Sequence, residues 1–277
     1  MKDSITLITV LFFMSACTII SPSKENPGNL NYFDIMTWNI EHFSQHENTT
    51  STVISIIKDI NPSIIAFQEI ESIAGFDSIY NNIENYDGYR ASSASYGLNL
   101  AYIWDTTIVK NAQFHEILTG QSIFFPRAPL VMECNINNLE FIIINNHFKC
   151  CDNGVEIRQE AITLIKDYMD NNFSNARIIM LGDLNDNLND SEYNNVFTPL
   201  LEDRDSYLFV DENFGMENYS YPSYPSHIDH ILISNELFNY YNSQYTETYT
   251  IQLDDEIQFY FNYVSDHLPV YLKLVFE

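Results

Sequence analysis

Residues 178–186 read IIMLGDLND: a run of apolar residues, a glycine, and then Asp183, Asn185 and Asp186 within four positions. Such a short apolar run bounded by a turn signal predicts a buried strand, and Gly182 allows the chain to turn tightly as it leaves the core. The same grammar recurs along the chain. Asn39 closes the predicted strand Tyr32–Asn39, and Gln68-Glu69 closes Ile64–Gln68. His147 ends FIIINNH, Asp229 sits in HIDHIL, and Asp266-His267 opens SDHLPV. Taken singly, each of these polar residues is a cap, a turn residue or a solvated side chain. Together they place acids, amides and histidines where strands leave a core, which is where a rigid scaffold carries its chemistry.

Outward from these points, Thr52–Ile60 carries Val53, Ile56, Ile57 and Ile60 at helical spacing until Asn61-Pro62 stops it, and Val155–Asn171 is a second amphipathic helix. Further strands are predicted at Leu98–Trp104, Leu130–Ile136, Leu139–His147, Arg177–Leu181, Ile228–Ser234, Tyr245–Leu253, Ile257–Tyr263 and Leu268–Val275. Leu130–Ile136 and Leu139–His147 form a hairpin turning at Asn137-Asn138, which sets Cys134 opposite about Phe141. Tyr245–Tyr263 reads as a second hairpin whose tip is Leu253-Asp254-Asp255-Glu256, with Phe259, Phe261 and Tyr263 alternating like a buried strand face. Helix and strand alternate without a strict βαβ rhythm, so the pattern predicts an α/β fold of two mixed sheets packed face to face with helices outside. Residues 31–277 read as one domain, since no linker, repeat or composition break follows Asn31.

The N-terminus is of another kind. Lys2 precedes an apolar run, Ile5–Phe13, too short to span a bilayer comfortably, and residues 1–16 read as an export signal. Met14-Ser15-Ala16-Cys17 resembles a bacterial lipoprotein signal, which would leave a lipidated Cys17 as the new first residue; an ordinary signal cut nearby is the alternative. Residues 17–30, with their Ser, Pro, Asn and Gly, read as a flexible tether. This predicts an exported protein, membrane-anchored or secreted. Cys134, Cys150 and Cys151 then remain, so at most one disulfide forms; a vicinal Cys150–Cys151 bridge and two free thiols are both compatible with the sequence. No second Cys or His pair stands at zinc-ligand spacing, so no zinc site is expected. With 38 acidic against 12 basic residues the formal charge is −26, which excludes capture of nucleic acid or anionic membrane on a broad basic face. A phosphate substrate must be held by metal and by local hydrogen bonds, and binding should be weak and salt-sensitive.

In chain order, TWNI (37–40), QEI (68–70), FPRAPL (125–130), NNHFK (145–149), GDLND (182–186), HIDHIL (227–232) and SDHLPV (265–270) resemble the motifs of the endonuclease/exonuclease/phosphatase superfamily, which includes deoxyribonuclease I, sphingomyelinases and inositol polyphosphate phosphatases. The resemblance spans residues 35–271 and implies the four-layer α/β/β/α sandwich of that superfamily. It implies a metal-dependent phosphoric ester hydrolase, most readily a nuclease acting on DNA or RNA as a monomer. Glu69 and Asp266, helped by the Asn39 amide, suit Mg²⁺, with Mn²⁺ or Ca²⁺ as other hard cations. Asp183 is the candidate acceptor for the proton of the attacking water, and Asn185 a donor to a phosphate oxygen. Asp229 orients His267, while His147 and His267 contact the phosphate or the leaving group and need no large pKa shift for that work. Arg127 and Lys149 are candidate phosphate contacts, and His227 and His230 are read as local structure pointing away from Asp229. One departure stands out: a glutamate supports the first catalytic histidine in deoxyribonuclease I, and Asn99 stands here instead. A sphingomyelinase-like enzyme and a binding module on the same fold are the competing readings, and the acidic tip at Asp254–Glu256 disfavours a membrane wedge.

Overall fold

A computed structural model describes residues 31–151, 154–191 and 195–276. The predicted signal and tether lie outside the described residues. One sheet has strand order β11-β12-β1-β2-β4-β3, built from β1 (Asn31–Phe43), β2 (Ile64–Ile70), β3 (Tyr86–Arg90), β4 (Asn99–Asp105), β11 (Glu247–Thr250) and β12 (Val270–Phe276). The other runs β5-β6-β7-β8-β10-β9, built from β5 (Val109–Glu116), β6 (Leu130–Ile136), β7 (Leu139–His147), β8 (Arg177–Asp183), β9 (Tyr207–Phe209) and β10 (Asp229–Ser234). The helices are α1 (Thr49–Ile60), α2 (Ile73–Asn81), α3 (Val155–Asn172) and the short α4 (Thr198–Leu201), α5 (Phe238–Tyr241), α6 (Leu253–Glu256) and α7 (Tyr260–Tyr263).

Strand alternation sorts the apolar residues into layers. Phe33 and Ile35 of β1 meet Phe141 and Ile143 of β7 and Ile179 and Leu181 of β8 in the core between the sheets. Met36 and Trp38, one residue out of phase, face the opposite way and pack under α1, α2, α6 and α7. Ile144, Met180 and Leu232 do the same on the second sheet, beneath α3 and α4. The result is the α/β/β/α sandwich expected from the sequence.

Strand direction then gathers the polar strand ends. β1 and β2 run parallel, as do β7 and β8, so Asn39 pairs with Gln68 in the first sheet and His147 with Asp183 in the second. β10 runs antiparallel to β8 and begins where β8 ends, pairing Asp229 with Asp183. β12 runs antiparallel to β1 and follows directly on Asp266-His267. All these residues therefore emerge at one end of the sandwich.

Several predicted elements are corrected. β1 continues to Phe43, and α2, β3 and β5 arise in segments where no element was predicted. The hairpin expected over Tyr245–Tyr263 is absent: β11 covers only Glu247–Thr250, and α6 and α7 follow. The period was misread, because Leu253, Ile257, Tyr260 and Val264 pack into one cluster at spacings of four, three and four, which is helical. Phe259 and Phe261, expected in the core, are 56% and 41% exposed, and the left-handed backbone of Phe259 (φ 63) breaks any strand there. The β6–β7 hairpin is as predicted. Asn137 and Asn138 both take positive φ at its turn, and Cys134 pairs with Phe141. Cys134 is a buried free thiol, while Cys150 and Cys151 are exposed free thiols with their sulfurs 2.6 Å apart.

Candidate active site

Asp183 is the hub. The Asn39 amide donates to its Oδ2 at 3.0 Å across the two sheets, and its Oδ1 accepts the Asn185 N–H at 3.0 Å. His147 Nε2 lies 3.3 Å and His267 Nε2 3.8 Å from Asp183 Oδ2. Its carboxylate is 2% exposed, and burial is the main cause that pushes its pKa up to about 7, with the His267 charge pulling the other way. Gly182 makes this arrangement possible. Its φ is +139°, and a Cβ there would run into the backbone of Asn146 on the adjacent strand β7.

The two histidines are set in opposite states. His267 Nδ1 lies 2.7 Å from Asp229 Oδ2. Burial alone would lower the pKa of His267, but Asp229 and Asp183 outweigh it and raise it to about 10. His147 is held well below the ordinary histidine value by burial first, and then by the positive charges of Arg127 and His267. Arg127 Nε and Nη2 approach His147 Nδ1 at 3.2 and 2.9 Å, and Nη2 lies 2.7 Å from His147 Nε2, so a guanidinium that only donates faces both ring nitrogens and favours a neutral ring with a lone pair turned toward it. The two rings are thus pressed in opposite directions, His147 toward the neutral form and His267 toward the cation, a wider separation than their expected roles require. Such separation of pKa values is how a site divides base from acid.

Asn99 does not support His147. Its side chain accepts from Ala94 N and donates to Gly97 O, and Arg127 occupies the supporting position instead. Among the described residues no hydrogen bond or ion pair joins the Lys149 ammonium to these groups; its charge acts on the Cys150 thiol. The Asn185 amide nitrogen donates to Phe148 O at 3.2 Å, which fixes its plane and leaves one N–H for a further acceptor.

Carboxylates crowd one side of the cluster. Glu69 Oε1 is 3.7 Å from His147 Nε2, and Glu69 Oε2 accepts the His42 N–H at 3.1 Å. Glu69 takes a left-handed backbone, φ 63, a strained setting for this residue. Glu41, not singled out in the sequence, receives the Asp266 N–H at 3.0 Å. Burial, and the charges of Glu41 and Glu69 against that of His267, push the Asp266 carboxyl up to about 6.

Four further residues support the site. Gln68 donates to Asn145 Oδ1 at 2.8 Å, and Asn145 in turn donates to Phe67 O and Ala101 O, a buried polar brace between the sheets beneath the site. The doublets Gln68-Glu69 and Asn145-Asn146 carried that signal, since a second polar residue at a strand end points inward. The Tyr221 ring lies 4.9 Å from the His267 ring. Ser265 donates to Asn39 O at 2.7 Å and accepts from His267 N, tying the last motif to the first.

Residues 36–267 match the model of the Endonuclease/Exonuclease/phosphatase family. The chain belongs to that family. It is 26% identical over 280 residues to the uncharacterized protein L388 of Acanthamoeba polyphaga mimivirus, spanning 90% of this chain and 98% of the other. Its fold is similar to that of D. rerio TDP2. A humanized form has a TM-score of 0.69 at 15% identity, covering 88% of this chain and 98% of that one. A complex with single-strand DNA product gives 0.66 at 15% identity, covering 88% and 99%. The human Nocturnin catalytic domain with bound sulfate gives 0.65 at 14% identity, covering 90% and 97%. Members of the family are phosphoric ester hydrolases.

A divalent cation fits the carboxylate side of this family site. Glu69 and Asp266 offer only oxygen donors, which suits a hard cation, and the burial and neighbouring negative charge that raise Asp266 are what such a charge would offset. The Asn39 carbonyl already accepts the Glu41 N–H at 3.0 Å and keeps one lone pair for this role.

Proposed function

We propose that the protein is a divalent-metal-dependent phosphodiesterase acting on DNA or RNA. The observation that carries this reading is the convergence of both histidines on Asp183, with His147 Nε2 3.3 Å and His267 Nε2 3.8 Å from its Oδ2 at the mouth of the sandwich. Asp183 accepts the proton of the attacking water, and its hydrogen bond from Asn39 aims its Oδ2. His267, kept protonated by Asp229, donates to a phosphate oxygen or to the leaving oxygen. Asn185 and Arg127 donate to the remaining phosphate oxygens. Glu69, Asp266 and Asn39 would hold the cation, which would supply charge stabilisation for the transition state.

Nucleic acid is favoured because the fold is shared with TDP2, one of whose structures holds a single-strand DNA product. Residues 1–16 as an export signal, with Cys17 lipidated, would place the enzyme outside the cytoplasm. Membrane fractionation of the wild type and a Cys17→Ala chain tests this, with release of the variant from the membrane as the expected result.

A second reading, a lipid phosphodiesterase, draws on exposed Phe259 and Phe261 beside the last motif. Asp254, Asp255 and Glu256 lie three to five residues before Phe259 and oppose an anionic surface. The test is hydrolysis of DNA, RNA, sphingomyelin and bis-p-nitrophenyl phosphate, each with Mg²⁺ and with EDTA. Metal-dependent cleavage of nucleic acid supports the first reading; turnover of sphingomyelin alone replaces it with the second.

A further inference from the structure

On the far side of β10 from the active site, Asp211, His227 and His230 turn their side chains to one point. Asp211 Oδ2 lies 2.8 Å from His227 Nε2 and 2.5 Å from His230 Nδ1. His230 Nε2 lies 2.8 Å from the backbone carbonyl of Asp186. A carbonyl only accepts, so Nε2 carries the proton, and in the neutral ring Nδ1 is then a lone pair aimed at a carboxylate oxygen. Two acceptors at that distance require a positive charge between them, either a proton or a metal ion. A single proton would need only one histidine, yet His227 Nε2 converges on the same oxygen. The other ring nitrogen of His227 is buried and has no partner, so only the Asp211 oxygen itself holds the ring proton on Nε2, and no second contact opposes its transfer to Nδ1 when a metal ion takes the Nε2 lone pair.

We propose that Asp211, His227 and His230 form a second metal site, which takes a zinc-class transition-metal dication and is separate from the catalytic carboxylates. Two imidazoles and one carboxylate are a donor set that zinc accepts and magnesium does not favour. The supporting contacts are those of a metal site: the Asp186 carbonyl orients His230, the Ile231 N–H donates to Asp211 Oδ1, and Asn187 Oδ1 accepts the His227 backbone N–H. Phe214, Phe197 and Phe209 pack against the imidazoles and keep the surroundings apolar. Asp211 and His230 are fully buried, while the His227 side chain is 14% exposed and gives an entry path. Tetrahedral zinc ligands stand roughly 3.3 Å apart, so the ligand atoms need to open by less than about 1 Å. Spacing along the chain hides this set, because the third candidate ligand lies sixteen residues before the His-x-x-His pair.

The full chain, saturated with Mg²⁺ to fill the hard-oxygen site, is incubated with Zn²⁺ or Co²⁺, desalted and analysed for metal by mass spectrometry and for the visible Co²⁺ spectrum. One retained equivalent and a tetrahedral Co²⁺ band are expected in the wild type. His227→Gln, at the more exposed position, should stay folded by circular dichroism and bind at least about 100-fold more weakly, the upper end of what losing a supporting contact alone costs. A Cys150→Ser/Cys151→Ser chain and a Glu69→Gln chain should retain the equivalent. Absence of retained metal in the wild type would overturn the proposal and leave a protonated His230 as the charge. Full retention in His227→Gln, or loss in either of the other two chains, would equally overturn it.

Discussion

His147 and His267 are the same residue type, each within 4 Å of the same Asp183 oxygen, yet their environments drive them toward opposite protonation states. The difference comes from Asp229 on one side and Arg127 on the other, neither of which neighbours its histidine in sequence. The position of both histidines beside strand ends is legible in the sequence, but their states are not, since these depend on partners brought by the fold. Asp229→Asn should leave the fold intact and cut the rate by roughly 10²–10⁴-fold, because His267 loses the charge that keeps it protonated; steady-state kinetics on a small phosphodiester check it. Cys134 provides a test that does not involve the site. Burial pushes its thiol up to about 12, so it should resist alkylation at pH 8 while Cys150 and Cys151 react, as read by peptide mass spectrometry. Because its folded pKa is raised above the unfolded value near about 8.5, its contribution to stability is full below that pH. It is lost as pH rises toward about 12, and urea midpoints should fall over that range.

At the scale of elements, the strands that define the site were legible because each carries an uninterrupted apolar run ending in a polar residue. β3 and β5 were not, since Tyr86–Arg90 and Val109–Glu116 are mostly exposed or half-buried edge segments whose side chains lack a clear period. The misread Tyr245–Tyr263 segment failed for a related reason, because a helical period of four and three over a dozen residues also contains alternating aromatics. The α1 helix was legible through Val53, Ile56, Ile57 and Ile60, all buried. Its stop at Asn61, left-handed at φ 54, and Pro62 follows the ordinary end signals. Ile57→Ala removes a fully buried side chain beneath the first sheet and should cost about 2–5 kcal/mol of stability by urea denaturation. The site lies at the other end of the strand that α1 feeds, so the rate of the folded fraction should hardly change.

For the whole molecule, the −26 charge sets the terms on which a polyanion can approach. With Arg127 and Lys149 as the basic residues assigned to phosphate, the logarithm of apparent affinity for duplex DNA should fall with the logarithm of salt at a slope no steeper than roughly −1.8. A much steeper slope would reveal a basic surface that the composition denies. The antiparallel pairing of the last strand, β12, with the first, β1, explains why residues more than 200 positions apart meet, as in the Ser265 bond to Asn39; that convergence is not visible in any window of sequence, only in the order of the motifs. The most direct measurement is the hydrolysis of bis-p-nitrophenyl phosphate and plasmid DNA by residues 31–277, with Mg²⁺ or EDTA, beside a His267→Ala chain. Cleavage that requires Mg²⁺ and falls by about 10²–10⁴-fold in the variant is the expected result. Cleavage that persists in EDTA, or a variant as fast as the wild type, would contradict it.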